Sequence, residues 1–216
     1  MAPFFSVIVC TYNRARLLPH ALRSLVQQHW QDWEAIVVDD GSTDATPLLL
    51  SAVAAEEPRV RIFRISHRGA GAARWYGIQQ ARGTYVTFLD SDDTYLPEHL
   101  LLRAEYVRHH PEVEFLHGGV VVIGNPLVPD RHNPKRLIPV SRCVVGGTFV
   151  IRRTLALRLR WPCRPFADDA LFYERARRSG VHIARVDFPT YCYNRTSPDS
   201  LCTQYGQMSS QPPPLP

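Results

Sequence analysis

Lysine is almost missing from this chain: of its 25 basic residues, only Lys135 is not an arginine. Chemistry that needs a lysine to neutralise a phosphoryl group therefore has a single position to draw on. Cysteine is sparse as well, and Cys10, Cys143, Cys163, Cys192 and Cys202 include no closely spaced pair. That pattern offers neither a zinc site nor a disulfide framework, and it predicts reduced thiols. No apolar run approaches the roughly 18 residues that a membrane-crossing helix needs. The stretch from Phe4 to Cys10 reads as a buried strand rather than an export signal. A cytoplasmic chain is expected, with peripheral contact the form any membrane binding would take. There is also no basic run and no stripe of interleaved basic and aromatic residues, so no nucleic-acid partner is expected. The net charge of +5 fits an anionic small substrate or an acidic surface.

What remains is an ordinary globular composition. The chain has 216 residues, 45% hydrophobic and 21% charged, enough for one sizeable core. Apolar runs alternate with helical patterns: "FFSVIVC", "RLLPHALRSLVQQ", "WEAIVVDD", "TPLLLSAVAAEE", "VRIFRI", "GAARWYGIQQA", "TYVTFL". Continuous apolar strands between amphipathic helices predict an α/β fold, a doubly wound and mostly parallel sheet with helices on both faces. Ligands are expected beyond the carboxyl ends of the strands. After "LPEHLLLRAEYVRHHP", a helix with Pro97 in its first turn and a stop at Pro111, the pattern loosens. Strands around "VEFLHGGVVVIG" and "CVVGGTFVIR" flank a Pro-rich loop, 125–139, and a last helix covers "DDALFYERARRSG". The expectation is one domain over 1–205, with a nucleotide-type half at 1–95 and a mixed α+β half at 96–205. The Pro-rich tail 206–216 reads as disordered.

Polar clusters close three of the early strands: "CTYNR", "DDGSTD" and "DSDD". In the last, Asp90, Asp92 and Asp93 crowd negative charge at a buried strand end, which calls for a cation among them. Magnesium or manganese commonly binds through one or two carboxylates plus substrate phosphates. Once the chain turns at Ser91, Asp90 and Asp92 can converge on such an ion, while Asp93 can cap the following helix. Asp39 and Asp40 end another strand. A carboxylate there can accept hydrogen bonds from a ribose hydroxyl or a pyrimidine imide, and with Tyr12 as a stacking surface a nucleotide-base slot is the expected use. Arg74, in the glycine-rich "SHRGAGAARWYG", can pair with a phosphate or with Asp40, or simply be solvated. Asp168 and Asp169 open the last helix. Asp168 suits an N-cap, and a carboxylate held at a helix N-terminus stays ionised and suits a base.

Taken in order, "VIVCTYNR", "WEAIVVDDGSTD", "GAGAARWYGIQQARGTYVTFLDSDD", "FADDALFYERARRSG" and "YNRTSPDSL" resemble the family 2 glycosyltransferases with the GT-A fold, over roughly residues 4 to 202. The resemblance implies an inverting transferase that moves a sugar from a nucleotide-diphosphate donor to a carbohydrate or other hydroxyl acceptor. UDP as the donor nucleotide comes from the resemblance alone. By position, Tyr12 and Asp40 would contact the base with Asp39 beside them. Arg74 would support the nucleotide, Asp90 and Asp92 would form the diphosphate and Mn2+ or Mg2+ motif, and Asp169 would be the base. Arg195 is open between a phosphate clamp and a structural arginine. The chain departs from the usual pattern with "ARW" for "ARN", "RLRWPCRPF" for a "GGFDE" loop, Asp168-Asp169 for Glu-Asp, and no histidine near Thr196.

Two other classes compete. "FLDSDDTYL" also fits a haloacid-dehalogenase-type phosphatase with Asp90 as nucleophile and Asp92 as general acid. That chemistry usually sits on the first strand and needs a downstream lysine, whereas Lys135 lies in a proline-flanked loop. A non-catalytic nucleotide-sugar-binding protein would need only the first half.

Overall fold

The computed structural model describes residues 2–164, 166–197, 200 and 202–203. The tail 206–216 lies outside them, as do the last positions of the expected domain. Along the chain the strands are β1 (Phe5–Thr11), β2 (Trp33–Asp39), β3 (Val60–Arg64), β4 (Tyr85–Phe88), β5 (Thr94–Tyr95), β6 (Phe115–His117), β7 (Val120–Gly124), β8 (Leu127–Pro129), β9 (Leu137–Pro139), β10 (Val150–Arg152), β11 (Ile183–Arg185) and β12 (Tyr191–Arg195). The helices are α1 (Leu18–Val26), α2 (Thr46–Glu56), α3 (Ala70–Gln80), α4 (His99–His109), α5 (Arg153–Leu159) and α6 (Asp168–Arg178).

Seven strands form the main sheet in the order β11-β6-β10-β4-β1-β2-β3. Its β3-β2-β1-β4 half is parallel, with Thr11 registered against Asp39 and Phe5 against Tyr85. β10 then runs antiparallel to β4 and β6. The expected mostly parallel, doubly wound sheet is therefore present, and β10 gives the second half its mixed character. Buried side chains of α1, α2 and α4, among them Leu18, Leu50 and Leu100, pack on one face. Ile78 of α3, Leu155 of α5 and Phe172 of α6 pack on the other. With both faces covered, β1 and β2 have no need of alternation, and apart from Cys10 every residue in them is buried.

The second half departs from its sequence reading in several places. "VEFLHGGVVVIG" is two strands in different sheets. Gly118 and Gly119 have φ of +106° and +77°, and they turn the chain out of the main sheet into a small one ordered β5-β12-β7. The loop 125–139 contains the β8-β9 hairpin. α5 has no counterpart in the expected elements, since its N-cap, Arg152, makes no capping bond and its sequence is broken by arginines. Pro97 precedes the N-cap of α4, Glu98, instead of lying in the first turn.

Candidate active site

At the carboxyl ends of β1 and β2 the two polar loops lock together. Asn13 N–H donates to Ser42 Oγ at 2.8 Å, Thr43 N–H donates to Asn13 Oδ1 at 2.8 Å, and Arg14 N–H donates to Thr46 Oγ1 at 3.0 Å. These bonds fix Tyr12 on the rim, 41% exposed. Its ring stacks on His67 with centroids 4.0 Å apart. Below the pair is Asp40, whose carboxylate accepts the backbone N–H groups of Arg68 at 2.9 Å and Gly69 at 2.8 Å. His67 Nδ1 lies 2.9 Å from the same carboxylate. Asp40 thus shapes the loop that holds the aromatic platform. His67 carries no motif signal, and only the fold brings it to Tyr12.

Asp39 does not line the cavity. It is buried in the wall beneath, accepting Ser42 N–H at 2.9 Å, and its Oδ2 has no hydrogen bond among the described residues. The closest cation to that oxygen is Arg64, at 3.7 Å.

Arg74 is the hub of the site. Its guanidinium donates to Asp90 Oδ1 at 2.6 Å and to Asp168 Oδ2 at 2.7 Å, and so joins α3, the end of β4 and α6. Of the uses open to it from sequence, Arg74 neither pairs with Asp40 nor is simply solvated, since Asp90 and Asp168 hold its guanidinium. Burial opposes the charge on Arg74, but the two carboxylates outweigh it and hold the group protonated. Beside it, burial pushes the Cys10 thiol well above its ordinary range, which leaves it an inert part of the wall. Asp168 also accepts Trp161 Nε1–H at 2.7 Å, and Trp161 stacks on Phe172 at 4.7 Å. The divergent "RLRWPCRPF" loop therefore supplies the indole that fixes Asp168. Gly71 makes room for that loop: a Cβ there would stand 2.7 Å from the Pro162 carbonyl oxygen. Asp168 is not the N-cap. That position belongs to Ala167, in the left-handed region at φ 54°.

Asp93 is not a helix cap either. It is buried and accepts Tyr191 O–H at 2.5 Å and Asn194 N–H at 2.7 Å, which ties the turn after β4 to β12. Asp90 and Asp92 line one cavity of about 1000 Å³ together with Tyr12, Asp40, Arg74 and Asp169. Asp169 accepts Gly146 N–H at 2.9 Å and Ala170 N–H at 2.7 Å. Burial and the neighbouring Asp168 raise its pKa to about 6, against the downward pull of Arg74 and the two N–H donors. The helix N-terminus alone would lower the pKa, and burial reverses that expected direction. Arg195 lies outside the cavity and bonds Ser200 Oγ at 3.0 Å.

Residues 6–159 match the family model described as glycosyl transferase family 2. The chain belongs to that family. Among its relatives, EpsH of Bacillus subtilis is 36% identical over 208 residues, covering 88% of this chain and 60% of EpsH. The succinoglycan biosynthesis protein ExoO of Rhizobium meliloti is 42% identical over 99 residues, 45% of this chain and 28% of its own length. Residues 1–349 of S. aureus TarS, solved with UDP-GlcNAc, superpose with a TM-score of 0.76 at 25% identity, covering 93% of this chain and 60% of that one. The chain thus spans less than two thirds of these relatives. A mannosyltransferase from Pyrobaculum calidifontis, solved with GDP-Man and Mn2+, shares the fold at TM-score 0.71 and 24% identity.

Family membership places the carboxylates in a transferase framework and removes the phosphatase. Lys135 does not line the cavity, and Asp90 is engaged by Arg74 rather than poised as a nucleophile. The carboxylates that could hold a divalent cation here are those of Asp90 and Asp92, which both line the cavity. Among the described residues no three His, Cys, Asp or Glu side chains gather as a ligand cluster. Two carboxylates facing an open cavity fit Mg2+ or Mn2+, which takes its other ligands from a diphosphate and water. No helix among the described residues is long and apolar enough to cross a membrane.

Proposed function

We propose that this chain moves a sugar from a nucleotide-diphosphate donor, a UDP-sugar first among them, to the hydroxyl of a carbohydrate or other acceptor, with inversion and with Mn2+ or Mg2+ bound. The observation that carries the reading is that Tyr12, Asp40, Asp90, Asp92 and Asp169 line one cavity of about 1000 Å³. A base stacks on the Tyr12 and His67 platform with Asp40 beneath, and Asp39 supports that wall. The TarS fragment was solved with UDP-GlcNAc, which favours a UDP-sugar here. Asp92 and Asp90 hold the cation, which supplies positive charge against the leaving diphosphate when bound. Arg74 keeps Asp90 aimed at the cavity and sets its position relative to α6.

Asp169 takes the proton from the acceptor hydroxyl as that oxygen attacks the anomeric carbon from the face opposite the diphosphate. A pKa of about 6 leaves it mostly ionised at neutral pH yet basic enough to accept the proton. The proposal treats 1–205 as one domain acting in the cytoplasm, with donor binding in 1–95 and acceptor binding in 96–205. The test is metal-dependent thermal stabilisation by UDP, GDP and dTDP, followed by donor hydrolysis in wild type and Asp169→Asn. Absence of any nucleotide response overturns the reading. Nucleotide binding without turnover in either protein would instead mark a binding protein.

A further inference from the structure

A second cavity of about 720 Å³ abuts the first, and Arg142, Cys143, Tyr173 and Arg177 line both. Its charged lining is of one sign. Arg142 comes from the turn after β9, Arg177 from α6 and Arg185 from β11, and no carboxylate lines the cavity among the described residues. The guanidinium groups of these three exposed arginines make no hydrogen bond or ion pair among the described residues. Three guanidinium groups around a concave surface with no counter-charge repel one another, and they concentrate a positive field inside it.

His117 forms part of the same lining at the end of β6. It is 8% exposed, and its ring is packed against Tyr173 with centroids 4.9 Å apart. Its ring nitrogens have no hydrogen-bond partner among the described residues, and His117 lines the cavity, so its ring is open to whatever enters. Burial and Arg185 lower its pKa to about 4, and the ring at neutral pH is an uncharged imidazole with one N–H to donate. Guanidinium forks and an imidazole N–H are the donors that an oxyanion recruits.

The geometry relates this cavity to the reaction. Asp169, Tyr173 and Arg177 stand four residues apart on one face of α6. At 1.5 Å per residue, Arg177 is about 12 Å along the axis from Asp169. We propose that the acceptor is an anionic glycan or glycoconjugate whose phosphate or carboxylate seats between Arg142, Arg177 and Arg185 over His117, two helical turns of α6 beyond the hydroxyl at Asp169. The inference rests on the transferase reading, which makes Asp169 the group that receives the acceptor proton.

The test uses the full chain labelled in its histidine rings, with the His117 signals assigned by His117→Gln. Methyl phosphate, methyl glucuronide and neutral methyl glucoside are titrated separately, and UDP stabilisation is read on the same preparation. At least one anion should shift the His117 resonances saturably while the glucoside does not, and which anion does so tells phosphate from carboxylate. The variant carrying Arg142→Ala, Arg177→Ala and Arg185→Ala should bind that anion at least tenfold more weakly with its melting temperature kept. Because the arginines are exposed, Arg→Gln at the same positions serves if the alanine variant unfolds. No saturable shift with either anion, or a response that survives the triple change, overturns the inference while leaving UDP binding and the transferase reading intact. An anion response without any nucleotide response overturns the acceptor role together with the transferase reading, and leaves only an oxyanion site.

Discussion

Asp169 shows how burial in the fold can reverse what a residue's place in a helix implies. From sequence it is a carboxylate in the first turn of a helix, a place that lowers pKa. In the fold, burial and Asp168 overcome that effect and bring the group to about 6 from an ordinary 3.8. For the proposed base the consequence is an acid limb: kcat/KM should fall tenfold per pH unit below about pH 6. Asp169→Asn should lower transfer by about 10²–10⁴-fold while UDP stabilisation persists, measured by product formation and thermal shift. Stability moves the other way. Because the native pKa is raised, the native state binds this proton more tightly than the unfolded chain does. The stabilisation from that proton is complete below about pH 4 and is lost as pH rises through about 6. Asp169→Asn should therefore be more stable than wild type at pH 8, by up to about 3 kcal/mol, with the gain vanishing near pH 4. Denaturant melts at the two pH values read this directly.

Elements in this protein are joined at the site by buried polar ties rather than by the sheet alone. Arg74 connects α3 to β4 and α6 through two carboxylates, and its own side chain is only 12% exposed. Replacing it with methionine keeps the volume but leaves Asp168 and Asp90 without their cation, which should cost about 3–5 kcal/mol in denaturant unfolding. Tyr191→Phe removes one donor from buried Asp93 and should cost about 1–3 kcal/mol, with β12 the strand that loosens. Neither tie could be read from sequence, since Arg74 and Asp168 are 94 residues apart and Tyr191 and Asp93 are 98 apart. The four parallel strands were legible because each is a continuous apolar run ending in a polar loop. β6, β10 and β11 were harder to place, being three residues each, with pairing set by distant partners. The candidate site was legible as a set of carboxylates. What its members do to one another, and the presence of His67 and Trp161 among them, came only with the fold.

At the scale of the molecule, the cavity lies across the boundary between the parallel half of the sheet and the mixed half, so the proposed donor half and acceptor half meet at it. Tyr12 and Asp40 belong to strand ends of the first half, and Asp169 and Tyr173 to a helix of the second. A ligand that binds this site only in the folded chain stabilises the fold as a whole. At a hundred times its dissociation constant such a ligand adds about 2.7 kcal/mol. For a chain of this size that is a rise in melting temperature of about 5–11 °C. Saturating UDP with Mn2+ should produce it. Chelating the metal should remove most of it, because the diphosphate would then face Asp90 and Asp92 with no intervening positive charge and be repelled. Asp92→Asn should show a smaller rise with Mn2+ and a smaller loss on chelation, since one of the two proposed carboxylate ligands has given up its charge. A rise that is the same with and without metal in wild type would show that the two carboxylates do not meet the diphosphate through a cation.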